Sequence, residues 1–165
     1  EKSDFMKEPP KKYFRMFPGN EVRLKGAYFL TCTGFEEDEN GSVTCLHCTY
    51  DPATRGGDAP DGRKVRGTIH WVDASNCADA EIRLYDNLFS DPEPDAPGKD
   101  FMECLNPNSL EILTGCKVER ALEHCVGTDR FQFLRLGYFA PDNKESSPEH
   151  LVFNRAVALK DSFKK

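Results

Sequence analysis

Short runs of alternating apolar and polar residues recur along the chain, and residues that favour turns separate them. Successive side chains of a β-strand point to opposite faces, so this alternation predicts strands with one buried face. Proline fixes φ and glycine permits positive φ, which makes Pro18-Gly19 and Asp61-Gly62 turn signals. The runs lie at 21–25, 64–72, 81–85, 129–139 and 151–159.

Each run also predicts which side chains are buried. In 21–25, Val22 and Leu24 oppose Arg23 and Lys25, so we expect both basic residues to project from one side of a strand. The other expected apolar faces are Val65, Ile69 and Trp71; Ile82 and Leu84; Phe131 and Phe133, opposite Gln132; and Phe153, Val157 and Leu159. Helix signals are limited to one or two short turns at 119–124. The sequence therefore predicts an all-β fold with short helical turns only.

A weak internal repeat suggests that the fold is built from two related halves. The segment 21–29 resembles 131–139, and each is followed by a polar hairpin and a further apolar strand. We therefore predict two β units, 1–75 and 76–165, with strands free to cross between them. The segment 91–98 holds three prolines in eight residues, which excludes a regular strand ladder and predicts a loop.

Composition places the chain among soluble intracellular proteins. Its 165 residues are 38% hydrophobic, and no apolar run is long enough to span a membrane, which needs about 18 residues. No signal peptide is evident, and seven irregularly spaced cysteines are typical of reduced thiols, so we expect a cytoplasmic protein. Because the first residue is Glu1 rather than methionine, we expect a piece of a longer protein.

The formal net charge of −6 argues against a nucleic-acid partner when the chain is taken as a whole. The distribution changes that picture, because residues 1–30 hold seven basic and four acidic side chains and so carry +3, which leaves −9 elsewhere. Salt screens charges beyond about 8–10 Å, so a local basic face on an acidic body can still bind phosphates.

Motifs for catalysis or metal binding are weak. Cys45-Leu-His-Cys48 is a single Cys-x-x-Cys pair, whereas structural zinc sites join two such pairs. Strand alternation also places His47 and Cys48 on opposite faces, so we expect thiols rather than a metal site. No nucleophile motif accompanies His70, which favours a structural histidine. The glycine-rich phosphate-binding loops of nucleotide sites do not occur in the sequence.

One basic cluster remains a candidate for recognition. Arginine presents a planar fork that binds phosphates and base edges and stacks on bases, and a tyrosine adds a stacking surface. From the residues themselves, both an RNA site and a solvated charged strand face stay open. The cluster consists of Lys11, Lys12, Tyr13, Arg15, Arg23 and Lys25.

Several long strings resemble one family, the C-terminal region of the glutaminyl-tRNA synthetases, and together they cover essentially the whole chain. The strings agree in order and spacing, so the resemblance is specific. They are Asp61–Val72 (DGRKVRGTIHWV), Glu81–Phe89 (EIRLYDNLF), Asn106–Leu110 (NPNSL), Phe131–Phe133 with Gly137–Phe139 (FQF and GYF), and Phe153–Val157 (FNRAV).

The resemblance implies a fold, a partner, and a separation of tRNA binding in this region from catalysis in another domain. It implies two small β-barrels like ribosomal protein L25, the first at 1–75 without its N-terminal strand and the second at 76–165. Their partner is the anticodon loop of glutamine tRNA, tRNA(Gln), with no membrane or DNA partner. The region has no catalytic residue, cofactor or metal of its own. ATP and Mg²⁺ act in an upstream catalytic domain, which joins glutamine to tRNA.

The resemblance also assigns roles to individual residues. Arg15 matches an arginine that reads the third anticodon base, and Arg23 matches one of two basic residues around the first base. Lys25 stands where the second is usually arginine, and it keeps the charge without the bidentate fork. Gln132 matches a glutamine that reads the central uridine. The remaining candidates are Lys11 beside the same loop, Lys12 where the family has glutamine, and Arg135 through its proximity to Gln132.

Two other interpretations remain. A glutamyl-tRNA synthetase of the non-bacterial type shares the β-barrel architecture, although the Gly67–Val72 run and Gln132 favour the glutaminyl family. A ribosomal RNA-binding module with the same type of barrel, and no link to an enzyme, is the second.

Overall fold

The strands form two sheets in a computed structural model that describes residues 1–159. The helical segments are short 3-10 turns at Lys2–Asp4, Pro52–Thr54 and Arg120–His124, which confirms the all-β prediction. The strands are β1 Glu21–Leu24, β2 Phe29–Glu37, β3 Val43–Asp51, β4 Thr68–Ile69, β5 Cys77–Tyr85, β6 Leu110–Glu119, β7 Phe131–Phe133, β8 Gly137–Pro141 and β9 Leu151–Ala158.

Two compact units divide the chain, unit 1 at Glu1–Trp71 and unit 2 beginning at Val72. The assignment of 1–75 and 76–165 to two anticodon-binding barrels stays a prediction. Within the described residues the strand pairings form open sheets and do not close either sheet into a barrel. Across residues 1–159, no helix is long and apolar enough to cross a membrane.

Unit 1 contains the four-stranded sheet, in the order β3-β2-β1-β4. The central strands β1 and β2 are antiparallel, and β4 joins β1 in parallel. Alternation buries one face, where Val22 and Cys32 are fully buried and pack with Met16 and Ile69. This core supports β1 from behind, so the polar side chains of β1 are held on a rigid strand.

The strand predicted at 21–25 ends at Leu24, one residue earlier than expected. Leu24 is the last residue of β1, and the chain turns there because its carbonyl accepts the N–H of Ala27 at 3.0 Å. Gly26 takes a positive φ of 71°, which glycine permits without steric cost. Lys25 therefore lies in an exposed turn just after the strand, although its N–H still donates to the carbonyl oxygen of Ile69 at 3.0 Å.

The predicted strand at 64–72 is reduced to Thr68–Ile69. Ile69 is buried as expected, but Trp71 is 43% exposed and its ring N–H donates to the carbonyl oxygen of Lys25 at 3.0 Å. Just before the strand, Gly67 packs directly against the backbone of Phe14. The Gly67 carbonyl oxygen accepts the N–H of Arg23 at 2.8 Å, so hydrogen bonding to β1 already begins at Gly67.

Arg63 ties three segments of unit 1 together. Its guanidinium reaches Glu21 of β1 at 2.9 Å, Asp51 of β3 at 2.5 Å and Asp61 at 2.7 Å. Hydrogen bonds from Arg63 lower the pKa of the Asp51 carboxyl, and its backbone and side-chain hydrogen bonds do the same for Asp61. The cation thus holds the loop after β3 against the start of β1, beside the candidate site.

Unit 2 contains the five-stranded sheet, in the order β6-β5-β9-β8-β7. β5 and β9 run parallel, and the other neighbouring pairs are antiparallel. The prediction for 81–85 is confirmed, because Ile82 is buried, Leu84 packs on the core and Tyr85 is 48% exposed. The rings of Phe131 and Phe133 pack on the same core, which also contains Phe139 and Phe153.

The predicted face at 151–159 was wrong beyond its first half. Phe153 is fully buried, but Val157 and Leu159 are 57% and 45% exposed. Phe139 pairs with Arg155 and Tyr138 with Val157, so Ala156 is an extra residue in β9. One bulged residue shifts the alternation by one position and turns every later side chain to the opposite face.

The internal repeat corresponds to two antiparallel hairpins. The segment 21–29 forms β1, a turn and the start of β2, and 131–139 forms β7, a turn and the start of β8. The phenylalanine that ends each repeat is buried in both units, since Phe29 is fully buried and Phe139 is 2% exposed. Both units therefore use one aromatic side chain to anchor the strand that follows the turn.

Candidate nucleic-acid interface

Arg15 is anchored to a buried acid in the N-terminal segment. Its Nη1 lies 3.1 Å from Oδ1 of Asp4, which is 4% exposed, and it also donates to the carbonyl oxygen of Ser3 at 3.2 Å. The hydroxyl of Tyr13 donates to that same carbonyl oxygen at 3.2 Å. The Arg15 side chain is 41% exposed, so one nitrogen is fixed while the rest of the fork faces solvent.

Arg23 lies over a buried aromatic ring. Its guanidinium carbon is 4.7 Å from the centroid of the Phe29 ring, a cation–π contact that helps to hold the side chain in place. Nη2 is 2.5 Å from Oδ1 of Asp58, whose side chain is 89% exposed. A phosphate or a base edge can replace such an exposed carboxylate at small cost, because surface ion pairs contribute only about 0–1 kcal/mol.

Three lysines of unit 1 carry charge without a counterion. Lys11, Lys12 and Lys25 are exposed, and none has an acidic partner among residues 1–159. Lys11 and Lys12 form a turn that the N–H of Tyr13 closes by donating to the carbonyl oxygen of Pro10 at 3.2 Å. Unpaired ammonium groups at a surface are available to neutralise RNA phosphates.

An aromatic cavity of about 400 Å³ opens beside this basic segment. Its walls include Tyr13, Phe14 and Phe17, and the guanidinium carbon of Arg66 lies 5.3 Å from the centroid of the Phe14 ring. The volume falls within the roughly 300–1,000 Å³ typical of ligand pockets. Exposed rings and a stacked arginine are the groups on which unpaired bases stack.

Gln132 is exposed at the centre of β7 in unit 2. Across the pair its neighbour is Tyr138 of β8, which is 47% exposed, so an amide and an aromatic ring stand side by side on the outer face. Its amide makes no hydrogen bond to any other described residue. The flanking Phe131 and Phe133 pack on the core and fix the strand behind it.

Among the described residues, two that are not glycine have a positive φ, and both are basic residues that the sequence predicted to bind RNA. Lys12 has φ 71° in the first unit, and Arg135 has φ 70° in the β7–β8 turn of the second. A side chain in this left-handed region costs about 1–3 kcal/mol, and such strain is concentrated at functional sites. The strained backbone of Lys12 and Arg135 is therefore consistent with a functional role for both basic side chains.

Two family models match the chain, and both are described as the anticodon-binding domain of class I tRNA synthetases (E and Q). One matches residues 1–51 and the other residues 68–142. The chain belongs to this family of anticodon-binding domains. The first match contains Lys11, Lys12, Arg15, Arg23 and Lys25, and the second contains Gln132 and Arg135.

Relatives of this anticodon-binding chain carry the name glutamine–tRNA ligase. The protein of Clostridium perfringens is 56% identical over 164 residues, which is 99% of this chain and 30% of the relative. The proteins of Clostridioides difficile and Bradyrhizobium diazoefficiens are 54% and 53% identical, over 99% and 100% of this chain. The chain therefore spans about 30% of the length of the curated relatives that it matches.

Sequence reasoning missed several side chains of the aromatic cavity. Phe17, Lys64 and Arg66 line it, yet none was a candidate from the sequence. The alternation of basic and aromatic residues at 11–17, and the basic run at 63–66, carried a signal that could have indicated a stacking site. In unit 2 the missed neighbour is Tyr138, which the internal repeat aligns with Tyr28.

The Cys-x-x-Cys pair does not converge on one site. Cys45 is exposed, whereas Cys48 is half-buried and packs against the core of unit 1. Burial is the largest of the causes that raise the pKa of the Cys48 thiol to about 11. A thiol that resists ionisation is a poor metal ligand, because metals bind the thiolate.

Proposed function

We propose that this chain is the anticodon-binding region of a glutamine–tRNA ligase. In this proposal it recognises the anticodon loop of tRNA(Gln), so that the full-length cytoplasmic enzyme attaches glutamine to tRNA using ATP and Mg²⁺ in a separate catalytic domain. The observation that supports it best is identity of 53–56% to proteins of that name across nearly the whole chain. The exposed arginines, lysines and amide give recognition a chemical basis.

The proposed mechanism is recognition of unstacked bases rather than catalysis. Arg15 reads the third anticodon base, Arg23 and Lys25 flank the first, and Gln132 reads the central uridine. An amide can donate and accept at one base edge, which suits Gln132, whose amide is exposed. Lys11, Lys12 and Arg135 neutralise phosphates around the loop, and this makes binding depend on salt.

The aromatic cavity deepens this proposal, because it offers a base a stacking surface beside Arg15. In the proposed complex, a splayed base of the loop stacks on Phe14, whose ring is 44% exposed and already contacts Arg66. Stacking on aromatic side chains contributes about 1–3 kcal/mol per base in single-stranded RNA binding. The description of the family as anticodon-binding does not say which surface a base contacts, so the role of the cavity in stacking is part of this proposal.

Aminoacylation by the full-length enzyme that carries this region tests which amino acid the enzyme attaches to tRNA. We expect charging of tRNA with glutamine and no charging with glutamate, because the relatives are glutamine–tRNA ligases. Charging with glutamate alone would replace the proposal with the glutamyl enzyme that shares this family of domains.

Loss of a base-reading side chain is expected to reduce discrimination between anticodons. Arg23→Ala should weaken binding of the enzyme to tRNA(Gln) by about 1–3 kcal/mol, roughly 5- to 150-fold in Kd, and affect a tRNA with a different first base less. Gln132→Ala should relax selection of the central uridine in the same way. Filter binding at fixed salt measures both effects.

Two exposed positions outside the site provide matched controls. Arg55→Ala removes an exposed guanidinium from unit 1, and Glu111→Ala truncates an exposed side chain of β6. Neither should change the ratio of the two affinities. Equal losses on both tRNAs would reduce Arg23 to a phosphate contact, and unchanged selection at the central base would remove Gln132 from the site.

A further inference from the structure

The β2–β3 hairpin carries three metal-ligating side chains on its exposed face. A carboxylate oxygen of Glu36, the Cys45 sulfur and an imidazole nitrogen of His47 all lie within 4.8 Å of one another. Nε2 of His47 is 2.7 Å from Oε1 of Glu36. None of the three belongs to the residues that we propose to read RNA.

Strand geometry explains why these residues converge. Cys45 and His47 are two positions apart on β3, so their side chains share a face. Glu36 pairs directly with Cys45, and His47 pairs with Gly34, which has no side chain to fill the space beside the imidazole. Side chains that are directly opposite on antiparallel strands have Cβ atoms about 4.5–5.5 Å apart, which brings the donors within reach of one ion.

Two β-bulges enclose this stretch of the hairpin. The register shifts between Cys32 and Gly34, and again between Glu36 and Glu37, so Thr33 and Thr44 are the extra residues. The Thr33 hydroxyl donates to the carbonyl oxygen of His47 at 3.1 Å, and the Thr44 hydroxyl to that of Glu36 at 3.4 Å. Bulges re-aim side chains, and here each bulged residue fixes the backbone of one donor.

The opposite face of the same stretch anchors the hairpin. Phe35 packs against Phe5 with ring centroids 5.5 Å apart, and Leu46 packs on the core of unit 1. The donors therefore stand on a strand pair that is held from behind. Metal sites on rigid strands bind with less ordering cost than sites on loops.

The donor set indicates the kind of ion. Thiolate, imidazole and carboxylate are the ligands of Zn²⁺ and related transition metals, whereas Mg²⁺ and Ca²⁺ select oxygen ligands. Bond lengths of about 2.0–2.3 Å place tetrahedral ligands roughly 3.4 Å apart, so small side-chain rotations close the site. When the ion binds, the Cys45 thiol releases its proton to solvent, bonds from Glu36 and His47 to the ion replace the hydrogen bond between them, and a water molecule takes the fourth position.

We propose that Glu36, Cys45 and His47 form a surface site for a divalent transition metal of the Zn²⁺ class. The Cys-x-x-Cys motif is not the site, because Cys48 faces the core and Glu36 from the neighbouring strand provides the third ligand. Two ligands, Cys45 and His47, are two positions apart in the sequence, and the third, Glu36, comes from the neighbouring strand. A search for metal motifs along the sequence does not detect such a set.

Cobalt titration of the reduced chain tests the site, since Co²⁺ reports thiolate ligation in its absorption spectrum. We expect one Co²⁺ per chain with a thiolate-to-cobalt charge-transfer band, and displacement by Zn²⁺. Cys45→Ser should abolish the band. His47→Ala and Glu36→Gln should each weaken binding at least about tenfold, the loss that even outer-shell changes produce at metal sites.

Matched controls separate this site from the other thiols of the chain. Cys104→Ser, His124→Ala and Glu39→Gln change residues of the same types outside the cluster, and each should leave the affinity within about twofold. Circular dichroism checks that each substitution, including that of the half-buried Cys104, leaves the fold intact. Absence of the band, its persistence in Cys45→Ser, or equal loss in Cys104→Ser would overturn the proposal.

Discussion

Gly67→Ala is expected to lower the free energy of unfolding of unit 1 by about 3 kcal/mol, near the upper end of overpacking effects. A methyl group at this position would overlap the carbonyl oxygen of Phe14 and lie 3.2 Å from Cγ1 of the fully buried Val22. The carbonyl of Gly67 also accepts the N–H of Arg23 at 2.8 Å, so a backbone shift here strains β1 as well.

Trp71 fluorescence in a urea titration measures this effect, because the only tryptophan of the chain lies at the end of unit 1. Gly57→Ala is the matched control, since its added methyl group would have one neighbour, a backbone oxygen at 3.9 Å. That variant should stay within about 0.5 kcal/mol of the parent. Equal unfolding midpoints for the two variants would contradict the proposed role of the close contact.

Gly67→Ala should also affect recognition, because Phe14 and Gly67 both line the aromatic cavity. A shift of the Phe14 backbone moves the ring on which we propose that a base stacks. We therefore expect weaker tRNA binding even under conditions in which the variant remains folded. Gly67 affects both stability and recognition, because only a residue without a side chain lets its backbone approach that of Phe14 so closely.

The alternation of apolar and polar residues predicted the fold where the strands are regular. At 81–85 it identified the buried Ile82 and the exposed Tyr85 correctly, because β5 keeps an undisturbed period of two there. It failed at Val157, because the bulge at Ala156 changes the phase without changing the local composition. A one-residue irregularity depends on pairing with a distant strand, which local patterns do not contain.

The sequence predicted which residues belong to the candidate site, but not which other side chains they contact in the folded protein. The basic cluster and the family resemblance identified Arg15 and Arg23, whereas their partners Asp4 and Asp58 depend on tertiary packing. Asp58 lies 35 positions from Arg23, and an exposed acid at that distance carries no sequence signal. The aromatic cavity was missed for the same reason, because 13–17 and 64–67 meet only in the folded unit.

Phe153→Ala should lower the free energy of unfolding of unit 2 by about 3–5 kcal/mol, the usual cost of emptying a buried aromatic position. Phe153 is fully buried, and its ring centroid lies 5.4 Å from that of Phe133 and 6.2 Å from that of Phe131. Those two residues flank Gln132, so the cavity would form directly behind the strand that carries the amide. Far-UV circular dichroism during chemical denaturation measures the loss.

The milder Phe153→Leu variant connects this core to recognition. It keeps an apolar side chain but loses both ring contacts, so we expect a folded unit 2 with a more mobile β7 and weaker selection of the central anticodon base. Val157→Ala, on the exposed face of the same strand, should change neither quantity appreciably. If Phe153→Leu kept full selectivity, the position of Gln132 would depend on the hairpin hydrogen bonds between β7 and β8 alone, and the aromatic core would contribute only stability.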